Sequence, residues 1–326
     1  MKLFVIGGAG YIGSHVVKDL LKAGHHVTVF DNLSSGLREN LFPESQFVHG
    51  DILQYPALLK TMQAGFDAVF HFAAFKAAGE SMLAPEKYSV NNITGTLNIL
   101  NAMCETNMKM IIFSSSAATY GSPIYLPLDE EHPTNPDNYY GFTKLEIERF
   151  FGWYERLRGI KFAALRYFNA AGYDVEGIVT GLEQNPANLV PVIMEVACGV
   201  REKLIIFGND YHTKDGTCIR DYIHVNDLSV GHLQALDYIA KTGKSLIVNL
   251  ATGIGHSVLD VYHKAREITG IDIPMQIGPP RPGDPAALYA VSTRAKELLG
   301  FVPQYSDLDT VISSTWKVYQ HKFNIR

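Results

Sequence analysis

The first thirty residues combine two short apolar runs with a helical stretch between them. Residues 3–6 are continuously apolar, which is typical of a parallel strand that is buried on both faces. A helical pattern then reaches Lys22, Gly24 is placed to end it, and a second apolar strand at residues 26–30 ends in Asp31. The pattern predicts a strand, a helix and a second strand, which is the βαβ unit of parallel sheets.

Strand-like and helical patterns continue to alternate beyond this unit. Further strands are predicted at residues 46–49, 67–72, 109–114 and 161–167. The alternation predicts an α/β fold, a doubly wound parallel sheet that binds ligands at the carboxyl ends of its strands. It weakens beyond Gly172, so we place a domain boundary near Asn169.

Three glycines, Gly7, Gly10 and Gly13, lie between the first strand and the first helix. Glycines at this spacing allow a tight turn, close approach to a pyrophosphate and close packing of helix on strand. The N-terminus of the following helix then faces the phosphates. Taken alone, the spacing also fits an ordinary turn between a strand and a helix.

Asp31 ends the second strand, 18 residues beyond Gly13. A carboxylate near this spacing accepts hydrogen bonds from the adenosine ribose of a dinucleotide. Because a 2′-phosphate would meet like charge there, the sequence favours NAD over NADP. The alternative is that Asp31 only forms the polar turn at residues 31–36.

Tyr140 and Lys144 are four residues apart at the start of a predicted helix that reaches about residue 158. Residues at this spacing share a helix face. A nearby ammonium and a positive nicotinamide both favour the phenolate, and lowering a phenol pKa by about 3 units takes roughly 4 kcal/mol. A buried pair of cations could supply this, whereas an amphipathic helix with a surface lysine would not.

Composition and charge narrow the class of protein. The chain has 326 residues, of which 47% are hydrophobic, and a net charge of −5, so we expect neither nucleic acid nor membrane as a partner. The three cysteines have no metal-ligand spacing, and we predict no metal site. They fit a reducing compartment. The first strand follows Met1 directly and no apolar run reaches membrane-span length, so we expect a cytoplasmic protein.

Nine segments together resemble the extended short-chain dehydrogenase/reductases and, within them, the UDP-glucose 4-epimerases. The resemblance runs from residue 1 to about residue 316. Its segments are residues 7–15, 31–34, 50–52, 71–81, 114–121, 140–144, 166–172, 206–224 and 280–284. It implies an NAD-binding Rossmann domain at residues 1–168 that holds NAD tightly, and a smaller α/β domain at residues 169–326 that binds a UDP-sugar substrate. The implied reaction is the interconversion of UDP-galactose and UDP-glucose through a 4-keto sugar, a reaction of galactose metabolism.

The resemblance also implies roles for single residues. Tyr140 is the expected acid/base, Lys144 lowers its pKa and binds the nicotinamide ribose, and Ser116 hydrogen-bonds the reacting sugar oxygen. For Ser116 the alternative is a serine that only caps the next segment. The residues expected to bind the cofactor are Gly7, Gly10, Tyr11, Ile12, Gly13, Asp31, Asn32, Asp51, Ile52, Phe72, Ala73, Lys76, Asn91, Tyr140, Lys144 and Phe168.

Substrate contacts are implied mostly in the second half of the chain. A chain of net negative charge needs local guanidinium groups to bind a diphosphate, which Arg220 and Arg281 would supply. The alternative for these arginines is a surface ion pair, such as Arg220 with Asp221. The residues expected to bind substrate are Ser116, Tyr140, Asn169, Asn188, Leu189, Phe207, Arg220, Tyr222, Arg281 and Asp284.

Three positions bear on which reaction and which sugar are expected. Related dehydratases place an acidic pair where this chain has Ala117 and Ala118, so elimination of water is disfavoured. Leu288 falls where the family lines the sugar pocket, and its intermediate size leaves UDP-N-acetylhexosamines open as slower substrates. A UDP-uronate or UDP-pentose epimerase and a non-catalytic NAD-sensing protein remain alternatives.

The resemblance further implies a homodimer joined through the helix that carries Tyr140 and the helix at residues 90–105. The first of these helices has more apolar residues than one core-facing stripe needs. A second buried face within the monomer would produce the same pattern. The residues concerned are Leu145, Phe150, Phe151, Trp153, Tyr154 and Leu157.

Overall fold

The computed structural model describes residues 1–281 and 284–325; Pro282 and Gly283 of the segment 280–284 lie outside the described residues. The strands are β1 Lys2–Ile6, β2 His26–Asp31, β3 Gln46–His49, β4 Ala68–His71, β5 Met110–Ser114, β6 Lys161–Tyr167, β7 Asn169–Ala171, β8 Leu204–Phe207, β9 Ile219–Arg220, β10 Tyr222–His224, β11 Leu246–Leu250, β12 His256–Ser257, β13 Met275–Gly278 and β14 Ala287–Leu288. The α-helices are α1 Tyr11–Lys22, α2 Tyr55–Met62, α3 Ala78–Ser81, α4 Pro85–Tyr88, α5 Gly95–Glu105, α6 Tyr139–Arg158, α7 Leu189–Ala197, α8 Val225–Thr242, α9 Val258–Thr269, α10 Thr293–Leu299 and α11 Leu308–Phe323.

A seven-stranded parallel sheet forms the larger unit, with strand order β11-β6-β5-β4-β1-β2-β3. Helices cover both of its faces. Residues such as Val17 and Leu236, from α1 and α8, pack on one face, and Met103 and Phe151, from α5 and α6, pack on the other. The doubly wound α/β fold is therefore confirmed.

Local sequence explains where α6 begins and ends. The Asn138 side chain accepts a hydrogen bond from Gly141 N at 2.9 Å, which caps the first turn. Gly159, with φ +68°, ends the helix in the left-handed conformation that favours glycine. A Cβ on Gly141 would lie 2.3 Å from Ala118 O, so this glycine allows α6 to approach the turn after β5.

The smaller unit is built from short sheets and helices. β7 pairs with β10, β8 with β13, and β9 lies between β12 and β14. Its core is formed by α7, α9 and α11 through buried residues that include Ile193, Val261 and Ile312. Leu288 of β14 packs in one apolar cluster with Ala117, which follows β5, and Phe168, which follows β6.

The division of the chain into the two units is discontinuous. The chain leaves the large sheet after Tyr167, next to the predicted division at 168/169. It returns when β11 pairs with β6 and α8 packs against the same side of the sheet as α1. We therefore propose that residues 225–250 belong structurally with the first unit, which the division into 1–168 and 169–326 does not represent.

Candidate active site

A cleft of about 290 Å³ lies at the carboxyl ends of the large sheet's strands. It is continuous from the glycine turn after β1 to the residues that follow β5 and β6. Ser116 and Asn188 line it together with most residues expected to bind the cofactor. Those are Gly7, Gly10, Tyr11, Ile12, Gly13, Asp31, Asn32, Ile52, Phe72, Ala73, Lys76, Asn91, Tyr140, Lys144 and Phe168.

The glycine turn is closely packed and leaves no room for side chains. Gly7 has φ +80°, and a Cβ on it would lie 2.7 Å from Ala73 N. A Cβ on Gly13 would lie 2.2 Å from Gly7 O. Glycine is therefore required at both positions, and the first turn of α1 can lie directly against the end of β1.

Asp31 forms the polar turn after β2 and also lines the cleft. Its Oδ1 accepts a hydrogen bond from Leu33 N at 2.8 Å, as a turn-forming aspartate does. Its Oδ2 accepts another from Ala9 N at 3.0 Å, which ties β2 to the glycine turn. Burial raises its pKa. Each oxygen can accept a further hydrogen bond on the cleft side, so the turn does not exclude a ribose contact.

Asp51 is the predicted cofactor residue that does not line the cleft. Its Oδ2 accepts a hydrogen bond from Asn32 Nδ2 at 2.9 Å, and its Oδ1 accepts one from Leu53 N at 2.8 Å. Asp51 thus holds Asn32, a cleft-lining residue, in place.

Two cleft residues have surroundings that the sequence did not indicate. Lys76 forms an ion pair with Glu183 of the smaller unit, and Glu183 also lines the cleft. Asn91 lies in a π-helical segment, Ser89–Thr94, and donates a hydrogen bond to Asn92 Oδ1 at 3.0 Å. No motif in the sequence points to Glu183. The π-helical segment is only six residues long, which is too short to give a distinct periodic pattern in the sequence.

Tyr140, Lys144 and Ser116 converge where β5 meets α6. Lys144 donates a hydrogen bond to Ser114 O at 2.7 Å, and its Nζ lies 5.8 Å from the centre of the Tyr140 ring. Ser116 and Tyr140 line the same end of the cleft, and the Ser116 hydroxyl opposes the effect of burial on the pKa of the phenol. The Ser116 Oγ accepts a hydrogen bond from Ala118 N at 3.1 Å, so Ser116 caps the next turn while it lines the cleft.

Burial dominates the electrostatics of this cluster. Burial raises the pKa of Tyr140, and the Ser116 hydroxyl opposes this. Burial also lowers the pKa of Lys144 to about 7, which Glu148 opposes. The charges of the chain itself are therefore not enough to make Tyr140 a phenolate near neutral pH. A second cation beside the phenol, in addition to Lys144, is needed.

A second cluster lies around β9 in the smaller unit. Arg220 forms an ion pair with Asp284 and donates a hydrogen bond to Ile219 O at 2.7 Å. The guanidinium carbon of Arg281 lies 3.9 Å from the centre of the Phe207 ring. The alternative pair of Arg220 with Asp221 is wrong, because the Asp221 carboxylate instead accepts hydrogen bonds from the Thr252–Gly253 turn.

The remaining predicted substrate residues lie between or beside these clusters. Asn169 donates from its backbone N and its Nδ2 to Asp221 O, at 3.1 and 3.0 Å. Leu189 begins α7, next to the cleft-lining Asn188, and Tyr222 is buried in β10. The structure thus brings Phe207, Arg220, Arg281 and Asp284 together but places them, with Asn169, Leu189 and Tyr222, outside the lining of the main cleft.

The positions that bear on specificity lie near the reactive groups. Leu288 pairs with Arg220 across β14 and β9. It packs in a small apolar cluster that includes Ala117 and Phe168. Ala117 and Ala118 form a short 3₁₀ turn after Ser116, so that turn presents no ionisable side chain. Among residues 1–281 and 284–325, no group of three or more His, Cys, Asp or Glu residues is placed to hold a metal ion.

Comparison with known proteins identifies the family. A sequence model of the GDP-mannose 4,6 dehydratase family matches residues 4–315. A UDP-glucose 4-epimerase of Lactobacillus helveticus is 46% identical over 318 residues, which cover 97% of this chain and 96% of that protein.

Solved structures agree with this similarity. The UDP-glucose 4-epimerase of Brucella ovis in complex with NAD has a TM-score of 0.95 and 43% identity, and the match covers 98% of each chain. That of Bifidobacterium longum in complex with NAD⁺ and UDP has a TM-score of 0.92 and 37% identity over 99% of this chain and 98% of that chain. The chain belongs to the UDP-glucose 4-epimerase family of extended short-chain dehydrogenase/reductases.

Proposed function

We propose that this chain is an NAD-dependent epimerase that interconverts UDP-galactose and UDP-glucose at C4 of the sugar. The observation that carries the proposal is the convergence of Tyr140, Lys144 and Ser116 at one end of a cleft whose other end is the glycine turn. Family membership supports it, because the relatives described above are UDP-glucose 4-epimerases.

The cleft fits a dinucleotide. The glycine turn would receive the pyrophosphate at the N-terminus of α1. Asp31 would accept hydrogen bonds from the adenosine ribose, and its charge disfavours a 2′-phosphate. Lys144 would contact the nicotinamide ribose. Bound NAD⁺ would supply the oxidant for the sugar C4 carbon, and its reduced form would supply the reductant that restores the alcohol.

Tyr140 would act as the acid/base, with Ser116 holding the sugar 4-oxygen. As a phenolate, Tyr140 takes the proton of the 4-hydroxyl while C4 is oxidised, which yields a 4-keto sugar. The keto sugar then turns about its pyrophosphate linkage, and Tyr140 returns the proton when C4 is reduced on its other face. The charge of Lys144 favours the phenolate that begins this sequence.

The residues after Ser116 restrict the fate of the keto sugar. Elimination of water from C5 and C6 needs a second acid/base beside the sugar, and this turn presents Ala117 and Ala118. Reduction back to the alcohol therefore remains the main outcome, even though the matching family model is that of a dehydratase.

The second cluster would hold the UDP portion of the substrate. Arg220 and Arg281 can neutralise a diphosphate with paired N–H donors. Asp284 orients Arg220, and Arg281 extends over the Phe207 ring. The Bifidobacterium longum enzyme is in complex with UDP, which supports a UDP portion in the substrate of this chain.

Leu288 would set the range of sugars. It packs beside Ala117 and Phe168, so the size of this side chain limits the space near the sugar pocket. We propose that UDP-N-acetylhexosamines are slower substrates. An epimerase for a UDP-uronate, a UDP-pentose or another UDP-sugar would carry out the same chemistry, and a substrate with a carboxylate would need a further cation near C6.

We also propose a homodimer formed through α5 and α6. Leu145 and Phe151 of α6 are buried in the monomer, but Trp153 and Leu157 are 55% and 65% exposed. They line an open groove together with Asn101 and Cys104 of α5 and with Tyr55, Glu105, Tyr154 and Arg158. Replacing Leu157 with Glu should yield a monomer in analytical ultracentrifugation, whereas a dimer that persists would contradict this interface.

Incubation of the purified protein with UDP-galactose, followed by chromatography of the UDP-hexoses, tests the proposed reaction. We expect a mixture with UDP-glucose, and slower conversion of UDP-N-acetylgalactosamine. The absence of conversion of UDP-galactose, also after NAD is added, would overturn the proposal. Full biological function of a Tyr140→Phe variant would instead favour a non-catalytic NAD sensor.

A further inference from the structure

A buried carboxylate lies one helical turn beyond Lys144. Glu148 is on the same face of α6 as Lys144, and the two residues are 4% and 2% exposed. Glu148 Oε1 accepts hydrogen bonds from Ser115 Oγ at 2.6 Å and Arg166 Nε at 3.0 Å. Its Oε2 accepts one from Arg166 Nη2 at 2.6 Å. Both oxygens of the carboxylate are therefore fixed in position.

Arg166, one of the two residues that donate hydrogen bonds to Glu148, is itself fixed by further contacts. The guanidinium carbon of Arg166 lies 4.8 Å from the centre of the Tyr120 ring. The Tyr120 hydroxyl donates to Asn249 Oδ1 at 2.7 Å, and Asn249 N donates to Glu130 Oε1 at 2.7 Å. This buried network joins α6 to β5, β6 and β11, and Glu148 does not line the cleft.

Each arm of the network reaches a segment that carries a reactive group. Ser115 directly precedes Ser116, and Arg166 lies two residues before Phe168. Lys144 lies one turn before Glu148 on α6. The carboxylate thus connects the three segments that meet at the phenol of Tyr140.

The other groups that face Lys144 carry no negative charge. They are Ser114 O of β5, the Phe113 ring at 4.6 Å and the phenol of Tyr140. His71 of β4 also faces Lys144; it bonds Thr96 of α5 at 2.9 Å, and burial lowers its pKa to about 3, so it is neutral. Among the residues that the structure describes, Glu148 is the carboxylate that raises the pKa of Lys144 against the effect of burial.

We propose that Glu148, which Ser115 and Arg166 hold in a fixed position, is a positioning residue that keeps Lys144 protonated. The inference rests on the proposed function, because it takes Lys144 to be the residue that assists Tyr140. Glu148 itself contacts neither cofactor nor substrate.

The physical basis is a balance between burial and charge. Burial lowers the pKa of Lys144 to about 7, and Glu148 acts in the opposite direction. Loss of the carboxylate charge would therefore lower the pKa of Lys144 further, so that Lys144 is neutral at pH 7 and no longer favours the phenolate.

The test is the pH dependence of kcat/KM with UDP-galactose in NAD-loaded protein. Glu148→Gln should move the alkaline limb to lower pH by about one unit, which is roughly tenfold in kcat/KM at a fixed pH on that limb. The control Ser115→Ala removes a hydrogen bond but no charge and should leave the limb in place. Glu148→Asp retains the charge and should keep the limb near its original pH, which a merely structural role of Glu148 would not require.

A titration of Tyr140 provides a readout that needs no substrate. In the NAD⁺-loaded protein, where the nicotinamide supplies the further cation, the ultraviolet phenolate absorbance is taken as the difference between proteins with and without Tyr140→Phe. It should appear at higher pH in the Glu148→Gln variant. If the parent protein does not convert UDP-galactose, the proposed function fails while this titration still tests Glu148. An unchanged limb and an unchanged phenolate titration, with only a lower melting temperature, would overturn the inference.

Discussion

The proposed cofactor half and the proposed UDP half of the site are built in different ways. The residues proposed to bind NAD come mainly from ends of adjacent parallel strands, and all but Asp51 line one cleft. The residues proposed to bind UDP come from short strands, helix starts and a loop, and they meet through contacts such as Arg220 with Asp284. The positions of the first set of residues follow from local sequence and from one sheet. The positions of the second set depend on contacts between segments that are distant in sequence.

This difference explains which features the sequence could predict. The βαβ pattern and the glycine spacing predict β1, α1 and β2 within a residue, because strands and glycine turns have local signatures. The return of β11 to the large sheet has no local signature, since a strand beside β6 does not differ in sequence from one in a separate domain. The division at 168/169 therefore does not represent it.

Within the site, the hydrogen-bond and ion-pair partners of side chains likewise could not be predicted from local sequence. Asp31 was predicted from its spacing, but its bond to Ala9 N depends on how β2 lies against the glycine turn. The alternative for Arg220 was an ion pair with the adjacent Asp221, but its ion-pair partner, Asp284, lies 64 residues away. Resemblance to the family brought these distant residues to attention, and spacing would not have done so.

The largest expected effect is on chemistry at the junction of the two halves. Tyr140→Phe removes the acid/base, and we expect kcat to fall by about 10²- to 10⁴-fold with bound NAD and melting temperature nearly unchanged. The control is Tyr139→Phe, which loses only a hydroxyl contact with Ser89 and should retain near-normal activity. A Tyr140→Phe enzyme as fast as the parent in steady-state assays would contradict the assignment.

A change in the UDP half should affect substrate binding alone. Arg220→Met removes charge-assisted hydrogen bonds that are each worth about 1.5–3 kcal/mol, so KM for UDP-galactose should rise about 10- to 100-fold. NAD content should not change. Arg266→Met, which removes an exposed pair with Asp272, is the matched control. Equal effects of the two substitutions on KM would count against a UDP site at Arg220.

A change in the cofactor half should affect NAD retention. Gly13→Ala places a methyl group 2.2 Å from Gly7 O, and the forced shift should destabilise the protein by about 1–3 kcal/mol. NAD released from the denatured protein should fall with it. Gly152→Ala is the control, because nothing lies within 4 Å of its Cβ and the helix should gain up to about 1 kcal/mol. Full NAD content in Gly13→Ala would show that the turn tolerates a side chain.

The smallest expected effect concerns the contact between α1 and the smaller unit, and it is confined to acid pH. Lys18 of α1 pairs with the buried Asp174 of the smaller unit, and this lowers the pKa of Asp174 to about 2. A lowered pKa contributes stability above the unfolded-state pKa near 4 that is lost as pH falls towards 2. Thermal melts of Asp174→Asn should therefore depend less on pH between 4 and 2. An equally steep dependence would show that Asp174 is not the group responsible.

The most direct test of the account follows deuterium from C4 of UDP-galactose. The protein as purified, without added NAD, is incubated in ordinary water with substrate deuterated at C4, and the UDP-glucose formed is analysed by mass spectrometry. We predict that the product retains the deuterium at C4, because oxidation and reduction would take place in one closed site. UDP-glucose that has exchanged this deuterium for solvent hydrogen would contradict the proposed route through a 4-keto sugar and bound cofactor.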